Sequence, residues 1–321
     1  MTSLRSFTFA VLVVLAISLI YFPIYLPRAQ AQSSSVSTSL NLTFTTIDVP
    51  GANFTGVAGI NTAGQMVGGY GQSLSGDVHG FLYSNGTFTY FDYPGEAVTV
   101  PEGINDSGVI VGYATQIPSQ RFTVVGFLYD GTTFTTLRDG SNSATYGYGI
   151  NNAGVVVGAA GSLGTTKGFE LLNGRYKTVN FPGQYTYGFA NGINNHGLVV
   201  GFTFGISNSG YIAKNGKFRN VDFPGAQQTA ATGVNDSGIV VGWYNPIGTN
   251  EYHGFALKNG KYLSFNYPGA KGTSAYGINK GGQIVGAYTF DFQAYHGFVR
   301  SPITAAEFEQ PGCCLAVAEA P

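Results

Sequence analysis

Charge is the scarcest property of this sequence. Asp, Glu, Lys and Arg make up 10% of its 321 residues, against about 25% in an ordinary domain. The net charge is −1, so no basic surface exists to attract a phosphate backbone, and nucleic acid is excluded as an expected partner. Cysteine is nearly absent: Cys313 and Cys314 are the only two. Adjacent Cα atoms lie about 3.8 Å apart, below the usual disulfide range, so the body must fold without disulfides. The pair is open to three readings: free thiols, a strained redox pair or an intermolecular crosslink. No segment combines sustained helical periodicity with helix caps, which counts against helical repeats.

Long apolar runs are also missing, with one exception. Arg5 precedes the run Phe7–Leu26, and Ala29-Gln30-Ala31 follows it. This is the order of a secretory signal with a small-x-small cleavage site, which gives 1–31 as a signal peptide. The run is long enough that an uncleaved N-terminal anchor is the rival reading. Either way the remainder is expected outside the cytoplasmic membrane, with membrane contact only if the segment is retained.

What the chain has in abundance is Gly (48), Phe (24) and Tyr (21), a composition of strands and turns. It is also repetitive. Gly59-Ile60-Asn61 returns at Gly103, Gly149, Gly192, Gly233 (with Val234) and Gly277, at spacings of 44, 46, 43, 41 and 44 residues. Four-stranded propeller blades have periods of this size. Each repeat divides into strands A to D. Strand A ends in Asn-x-x-Gly, as in Asn105-Asp106-Ser107-Gly108. Asn bonds its own backbone and Gly takes the left-handed position, giving a tight A–B hairpin. Strand B reads Val-Gly-aromatic, as in Val111-Gly112-Tyr113, and strand C reads His-Gly-Phe, as in His79-Gly80-Phe81. Asn-Gly or Asp-Gly then turns into strand D at Asn85, Asp130, Asn173, Asn215 and Asn259, the strongest local hairpin signal.

The phase of the repeat carries the architecture. Six A–B turns stand against five C–D turns; a strand-D phrase, Phe44–Gly51, precedes the first strand A, and the last repeat stops after its strand C at Phe298. Pairing the orphan with the last repeat leaves no exposed, unfinished blade. The expected fold is an all-β, six-bladed β-propeller of four-stranded blades over 42–301, closed by its N-terminal strand. A polar linker precedes it at 32–41. A tail without strand pattern follows at 302–321.

Tandem Gly-Ile-Asn-x-x-Gly-x-Val-Val-Gly followed by His-Gly-Phe resembles the bacterial extracellular repeat called the HAF family, after its His-Ala-Phe triplet. The triplet is His-Gly-Phe at 79–81, 253–255 and 296–298, and departs to Val125-Gly126-Phe127, Lys167-Gly168-Phe169 and Ser209-Gly210-Tyr211 elsewhere. The resemblance spans 44–300. It implies export and repetition, and no defined activity.

Candidate sites follow from this frame. His79, His253 and His296 share one repeat position, but strand C lies about 10 Å outside strand A. Their rings are then too far apart for metal–nitrogen bonds of about 2 Å, so packing and a bond to the neighbouring blade are expected and no metal is assigned. His196 falls in an A–B turn and is expected on the surface. Asp48, Asp92 and Asp222 interchange with Asn180 and Asn266 before the closing Pro-Gly, which suggests a backbone hydrogen bond. Asp77, Glu96, Glu102, Arg121, Arg138, Asp139, Glu251 and Asp291 form no catalytic motif, and the sialidase-type Asp-box is absent. No catalytic residue and no cofactor is assigned.

The B–C connections vary most in length, whereas the A–B and C–D turns opposite are uniform, and variable loops on a rigid ring are where recognition lives. The candidate ligand contacts are the aromatics closing strand B: Tyr70, Tyr113, Phe202, Trp243, Tyr244 and Tyr288. Their flat amphipathic faces suit a sugar, although packing between blades would use the same residues. The expected function is a secreted or surface propeller that binds an extracellular glycan or surface protein. A polymer-degrading hydrolase or lyase, and a purely structural surface protein, are the alternatives.

Overall fold

The computed structural model describes residues 43–73, 76–116, 124–139, 144–161, 166–179, 185–205, 208–309 and 314–315. The signal segment, the linker and Cys313 lie outside them, as do Asn180 and Arg121. Strand β1 (Phe44–Ile47) comes first and stands apart from the strands that follow it. Blade 1 is β2 (Phe54–Ile60), β3 (Met66–Gly71), β4 (His79–Ser84) and β5 (Thr87–Phe91). Blade 2 is β6 (Val98–Ile104), β7 (Ile110–Thr115), β8 (Val125–Tyr129) and β9 (Phe134–Leu137). Blade 3 is β10 (Ala144–Ile150), β11 (Val156–Gly161), β12 (Lys167–Leu172) and β13 (Arg175–Val179). Blade 4 is β14 (Tyr185–Ile193), β15 (Val199–Gly205), β16 (Ser209–Lys214) and β17 (Lys217–Val221). Blade 5 is β18 (Ala226–Val234), β19 (Val240–Pro246), β20 (His253–Lys258) and β21 (Lys261–Phe265). Blade 6 is β22 (Gly272–Ile278), β23 (Ile284–Thr289) and β24 (His296–Arg300), with β1 as its outer strand. The chain is a six-bladed β-propeller of antiparallel sheets.

The turns have the chemistry their residues demand. At Asn85-Gly86, Asn173-Gly174, Asn215-Gly216 and Asn259-Gly260 both central residues have positive φ, 50–52° for Asn and 74–83° for Gly. These are type I′ hairpins, which match the right-handed twist of the strands they join. Packing within each blade rests on a second pairing. The strand-C aromatics Phe81, Phe127, Phe169, Tyr211, Phe255 and Phe298 are at most 3% exposed. Each lies against the strand-B glycine of its own blade. At Gly286 an added Cβ would come within 2.0 Å of Ser274 O and 2.9 Å of the Phe298 ring, so Val-Gly and Gly-Phe are complementary halves of one contact.

Two rings of hydrogen bonds join the blades. On the A–B side, each repeat asparagine donates its Nδ2–H to the carbonyl of the next asparagine around the ring. Asn61 reaches Asn105 O (3.2 Å), Asn105 Asn151 O (3.3 Å), Asn151 Asn194 O (3.2 Å), Asn194 Asn235 O (3.0 Å), Asn235 Asn279 O (3.2 Å) and Asn279 Asn61 O (3.1 Å). The Oδ1 of the same side chain accepts from its own hairpin, in Asn105 from Ser107 N (3.1 Å) and Val109 N (3.0 Å). Towards the opposite face, the first residue of the shared strand-A frame donates its N–H to the residue before strand C of the preceding blade. These bonds are Thr55 to Tyr295, Thr99 to Val78, Thr145 to Val124, Gly188 to Thr166, Thr229 to Asn208 and Thr273 to Tyr252, all 2.8–3.2 Å.

The last seam is closed by β1, paired with β24 from Phe44↔Arg300 to Ile47↔Gly297. The tail departs from its expected lack of structure. A 3-10 turn, Ala305–Glu309, buries Glu307 and Phe308. Residues Cys314–Leu315 form β25, a fifth strand on the edge of β21. What draws the tail inward is Arg300, 0% exposed, whose guanidinium pairs with buried Glu307 and lies 5.2 Å from the Phe265 ring centroid. An unpaired buried guanidinium is costly, and nothing in the repeat pattern signals where its partner sits.

Two stability predictions follow. Asn105→Ala removes both halves of one ring element and is expected to destabilise by about 2–4 kcal/mol, read from urea unfolding. Asn105→Asp keeps the acceptor but sets carboxylate oxygen against Asn151 O, so it should not rescue. Glu307→Ala strands Arg300 and is expected to cost about 3–5 kcal/mol. The double variant with Arg300→Met should recover most of that loss in thermal unfolding.

Candidate functional site

Strand B runs towards the face that carries the B–C and D–A connections. The six aromatics expected there as ligand contacts divide sharply by burial. Tyr113 is 0% exposed, Phe202 1%, Trp243 4%, Tyr244 8% and Tyr288 4%; Tyr70 alone is half-buried. Five of the six therefore do not offer a face to solvent, and packing between blades accounts for them. Tyr244 stacks at 3.7 Å on Phe223, and Tyr288 at 3.5 Å on Tyr267, each pair nearly parallel. Phe223 and Tyr267 close strand D of the blade before, so each stack spans a seam. Trp243 packs against Phe202 (6.4 Å) and Tyr252 (5.5 Å).

The histidines have a different partner from the one expected. His79 Nδ1 lies 2.9 Å from Asp92 Oδ2, His253 Nδ1 2.8 Å from Asn266 Oδ1, and His296 Nδ1 2.7 Å from Asp48 Oδ2. Each bond stays within one blade, from strand C to the end of strand D, and not across to the neighbour. The Asp/Asn position thus serves the imidazole, with Asp48 also accepting from Gly297 N (3.2 Å). Each ring also lies beside the strand-B tyrosine of its blade: Tyr70 at 5.4 Å, Tyr244 at 5.3 Å and Tyr288 at 5.1 Å. Blades 2, 3 and 4 carry Ala114, Ala160 and Thr203 at the tyrosine position and no histidine opposite. Tyrosine and histidine come and go together. His196 is exposed, as expected for its turn.

The same face holds a small recess on the inner side of blade 6, lined by Tyr252, Ser274, Tyr276, Tyr288, Thr289, Phe292 and Tyr295, with Gly272 and Ala287 in its wall. No charged side chain lines it. Phe292 holds a left-handed backbone, φ 61°, which a bulky residue adopts only under constraint. The constraint is local. Thr289 Oγ1 accepts from Phe292 N (2.9 Å), and Asp291 Oδ1 accepts from Gln293 N (2.8 Å) and Ala294 N (3.1 Å). Those backbone bonds hold the Asp291 carboxyl below its ordinary range.

Of these lining residues, sequence reasoning reached only Tyr288. Tyr252 and Tyr295 directly precede His-Gly-Phe triplets, where the other blades carry Val78, Val124, Thr166 and Asn208. Tyr276 stands just before Gly277, where blade 1 has Ala58 and blade 5 has Thr232. Departure from the repeat consensus was the available signal. Among the candidate carboxylates, Glu102 is buried at 8% exposure, while Asp77, Asp291 and Glu251 sit at the rim.

No family model and no curated protein matches the chain. Solved structures do. AofleA from Arthrobotrys oligospora, in a mutant form, matches at TM-score 0.52 and 11% identity, covering 82% of this chain and 87% of that one. The six-bladed lectin of Aleuria aurantia, a structure described for its fucose recognition, matches at 0.50 and 12%, covering 81% and 99%. TolB from Acinetobacter baumannii matches at 0.49 and 13%, with 71% of this chain covering 61% of that one. At these identities the likeness is one of fold.

Trp243, the single tryptophan, reports on its own placement. Its emission should be blue-shifted from that of free tryptophan and resist acrylamide quenching. Trp243→Ala should cost about 3–5 kcal/mol through the cavity it leaves. Strong quenching would put the ring back on the surface.

Proposed function

We propose that this chain is an exported, non-catalytic propeller that binds a neutral extracellular glycan in the blade 6 pocket. The observation that carries the reading is the character of that pocket's lining: four tyrosines and a phenylalanine with Ser274 and Thr289, and no charge. Aromatic faces take the apolar side of a sugar ring, while hydroxyl groups meet its hydroxyls. Export is supported by the Phe7–Leu26 run with Ala29-Gln30-Ala31, and by the resemblance to HAF-type repeats. The fold shared with a fucose-recognising lectin fits this reading without carrying it.

The test is a glycan array with purified residues 32–321, followed by calorimetry on whatever is retained. Tyr276→Ala and Phe292→Ala should each weaken retention at least tenfold, about 1.4 kcal/mol. Tyr90→Ala, half-exposed on blade 1, should leave it unchanged. An array on which the folded protein retains no neutral glycan overturns the reading, and so does retention indifferent to both pocket variants.

A further inference from the structure

Every inner strand carries a bulge at the same place, seen as a register shift on either side of one residue. The bulged residues are Ala58, Glu102, Tyr148, Asn191, Thr232 and Tyr276. Inner strands pack against one another all round the ring, so these six positions gather near the axis. Asn191 and Thr232 show the direction: each side chain bonds a carbonyl of the next inner strand, Ala231 O at 3.0 Å and Ala275 O at 2.9 Å.

Glu102 is the acid of this set, and it is not satisfied. Its Oε1 is buried and has no hydrogen-bond partner among the described residues, and the same holds for the hydroxyls of Tyr113 and Tyr148. Orphaned buried groups of this kind are costly and call for an explanation. Around them stand aromatic rings: Tyr113 and Tyr146 at 5.1 Å and 69°, Tyr113 and Tyr148 at 6.4 Å and 82°, Tyr146 and Tyr148 at 6.0 Å and 15°. Two near-parallel rings meet a third at a steep angle. Glu102 is close enough to Tyr113, Tyr148 and Tyr276 for its charge to oppose their ionisation.

We propose that this axial cluster is a binding site for a primary ammonium group, which Glu102 meets as a carboxylate and Tyr113, Tyr146, Tyr148 and Tyr276 surround. An alkylammonium has three N–H donors and no acceptor, and three buried oxygens await donors. Ring faces carry negative potential and attract a cation, more strongly when it is desolvated. A divalent metal fits less well. Calcium takes six to eight oxygens, and among the described residues no three His, Cys, Asp or Glu side chains converge.

Burial pushes the Glu102 carboxyl well above the usual carboxylate range, so without a cation it holds its proton. The titratable groups near it are Tyr113 from β7, Tyr148 from β10 and Tyr276 from β22, with Tyr146 of β10 packed against the first two; β2 contributes Ala58, which does not titrate. Burial raises all four tyrosines, Tyr146 to about 12, so Glu102 is the one acid of the cluster besides the tyrosine hydroxyls. When the ammonium enters, the carboxyl releases its proton to solvent, one proton per cation. Affinity therefore rises with pH, about tenfold per unit below the Glu102 pKa, and levels off above it.

Methylammonium chloride is the probe, with tetramethylammonium as a cation lacking N–H donors. Calorimetry between pH 5 and 8, in buffers of different ionisation enthalpy, counts the protons. The expected result is saturable methylammonium binding that releases a proton and tightens with pH, with tetramethylammonium at least tenfold weaker. Glu102→Gln should abolish the pH dependence and weaken binding at least tenfold. Tyr113→Phe, which keeps the ring, should weaken it several-fold, and decides the matter with the proton count if Glu102→Gln fails to fold. The proposal is overturned if folded wild type binds no methylammonium, if binding moves no proton, or if tetramethylammonium binds as tightly. Tyr276 borders both sites, so the variants that separate them are Phe292→Ala, which should leave amine binding intact, and Glu102→Gln, which should leave glycan retention intact.

Discussion

Each repeat asparagine does two jobs with one amide, and the rest of the propeller depends on that division. The oxygen closes the residue's own A–B hairpin, and the nitrogen reaches the backbone of the next blade. Aspartate would offer no donor, serine no second atom, and glutamine would place both atoms one methylene too far out. The bond from Asn279 to Asn61 crosses 218 residues of sequence and has the same form as the other five. The ring is therefore closed twice, by β1 along the outer edge of blade 6 and by this amide near the axis.

Such a ring fixes the spacing of the inner strands, and with it the residues that can stand between them. The glycine after each bulge is required: a Cβ on Gly59 would lie 2.9 Å from Gly103 Cα, and one on Gly149 would lie 2.9 Å from Asn191 O. The bulged residue before it is under no such limit. Its position is held by the backbone, whatever the side chain. That is why alanine, glutamate, tyrosine, asparagine and threonine all occur there in a chain otherwise so uniform. A propeller can vary its axis without disturbing its blades.

This division also explains what could be read in advance. Blade number, strand order, hairpin chemistry and the N-terminal closure are properties of the repeat, and the repeat is written six times. The strand-B aromatics stand out in the sequence for the same reason, and most are buried because a feature shared by most blades serves the packing between them. Glu102 at the axis occurs once among its six equivalents, and Tyr252, Tyr276 and Tyr295 stand at positions where most blades carry something else. A single sequence gives no way to weigh one departure against another until the ring brings Tyr252, Tyr276 and Tyr295 to one place. The tail was illegible for a related reason. Its anchors, the ion pair between Arg300 and Glu307, buried Phe308 and the pairing of β25 with β21, lie outside any period.

The departures are not scattered evenly. Blades 5, 6 and 1 carry the tyrosine–histidine pairs, and the stacks of Tyr244 and Tyr288 fill the seams between blades 4 and 5 and between blades 5 and 6 with rings on the B–C face, whereas Tyr70 meets only rings of its own blade. Blades 2 and 3, with Ala114 and Ala160 in the same place, have little side chain there. The blade 6 recess lies inward of that arc. The asymmetry of the repeat is therefore one of seam filling: near-parallel ring stacks bridge the seams between blades 4 and 5 and between blades 5 and 6, and the seams elsewhere are left to ordinary packing.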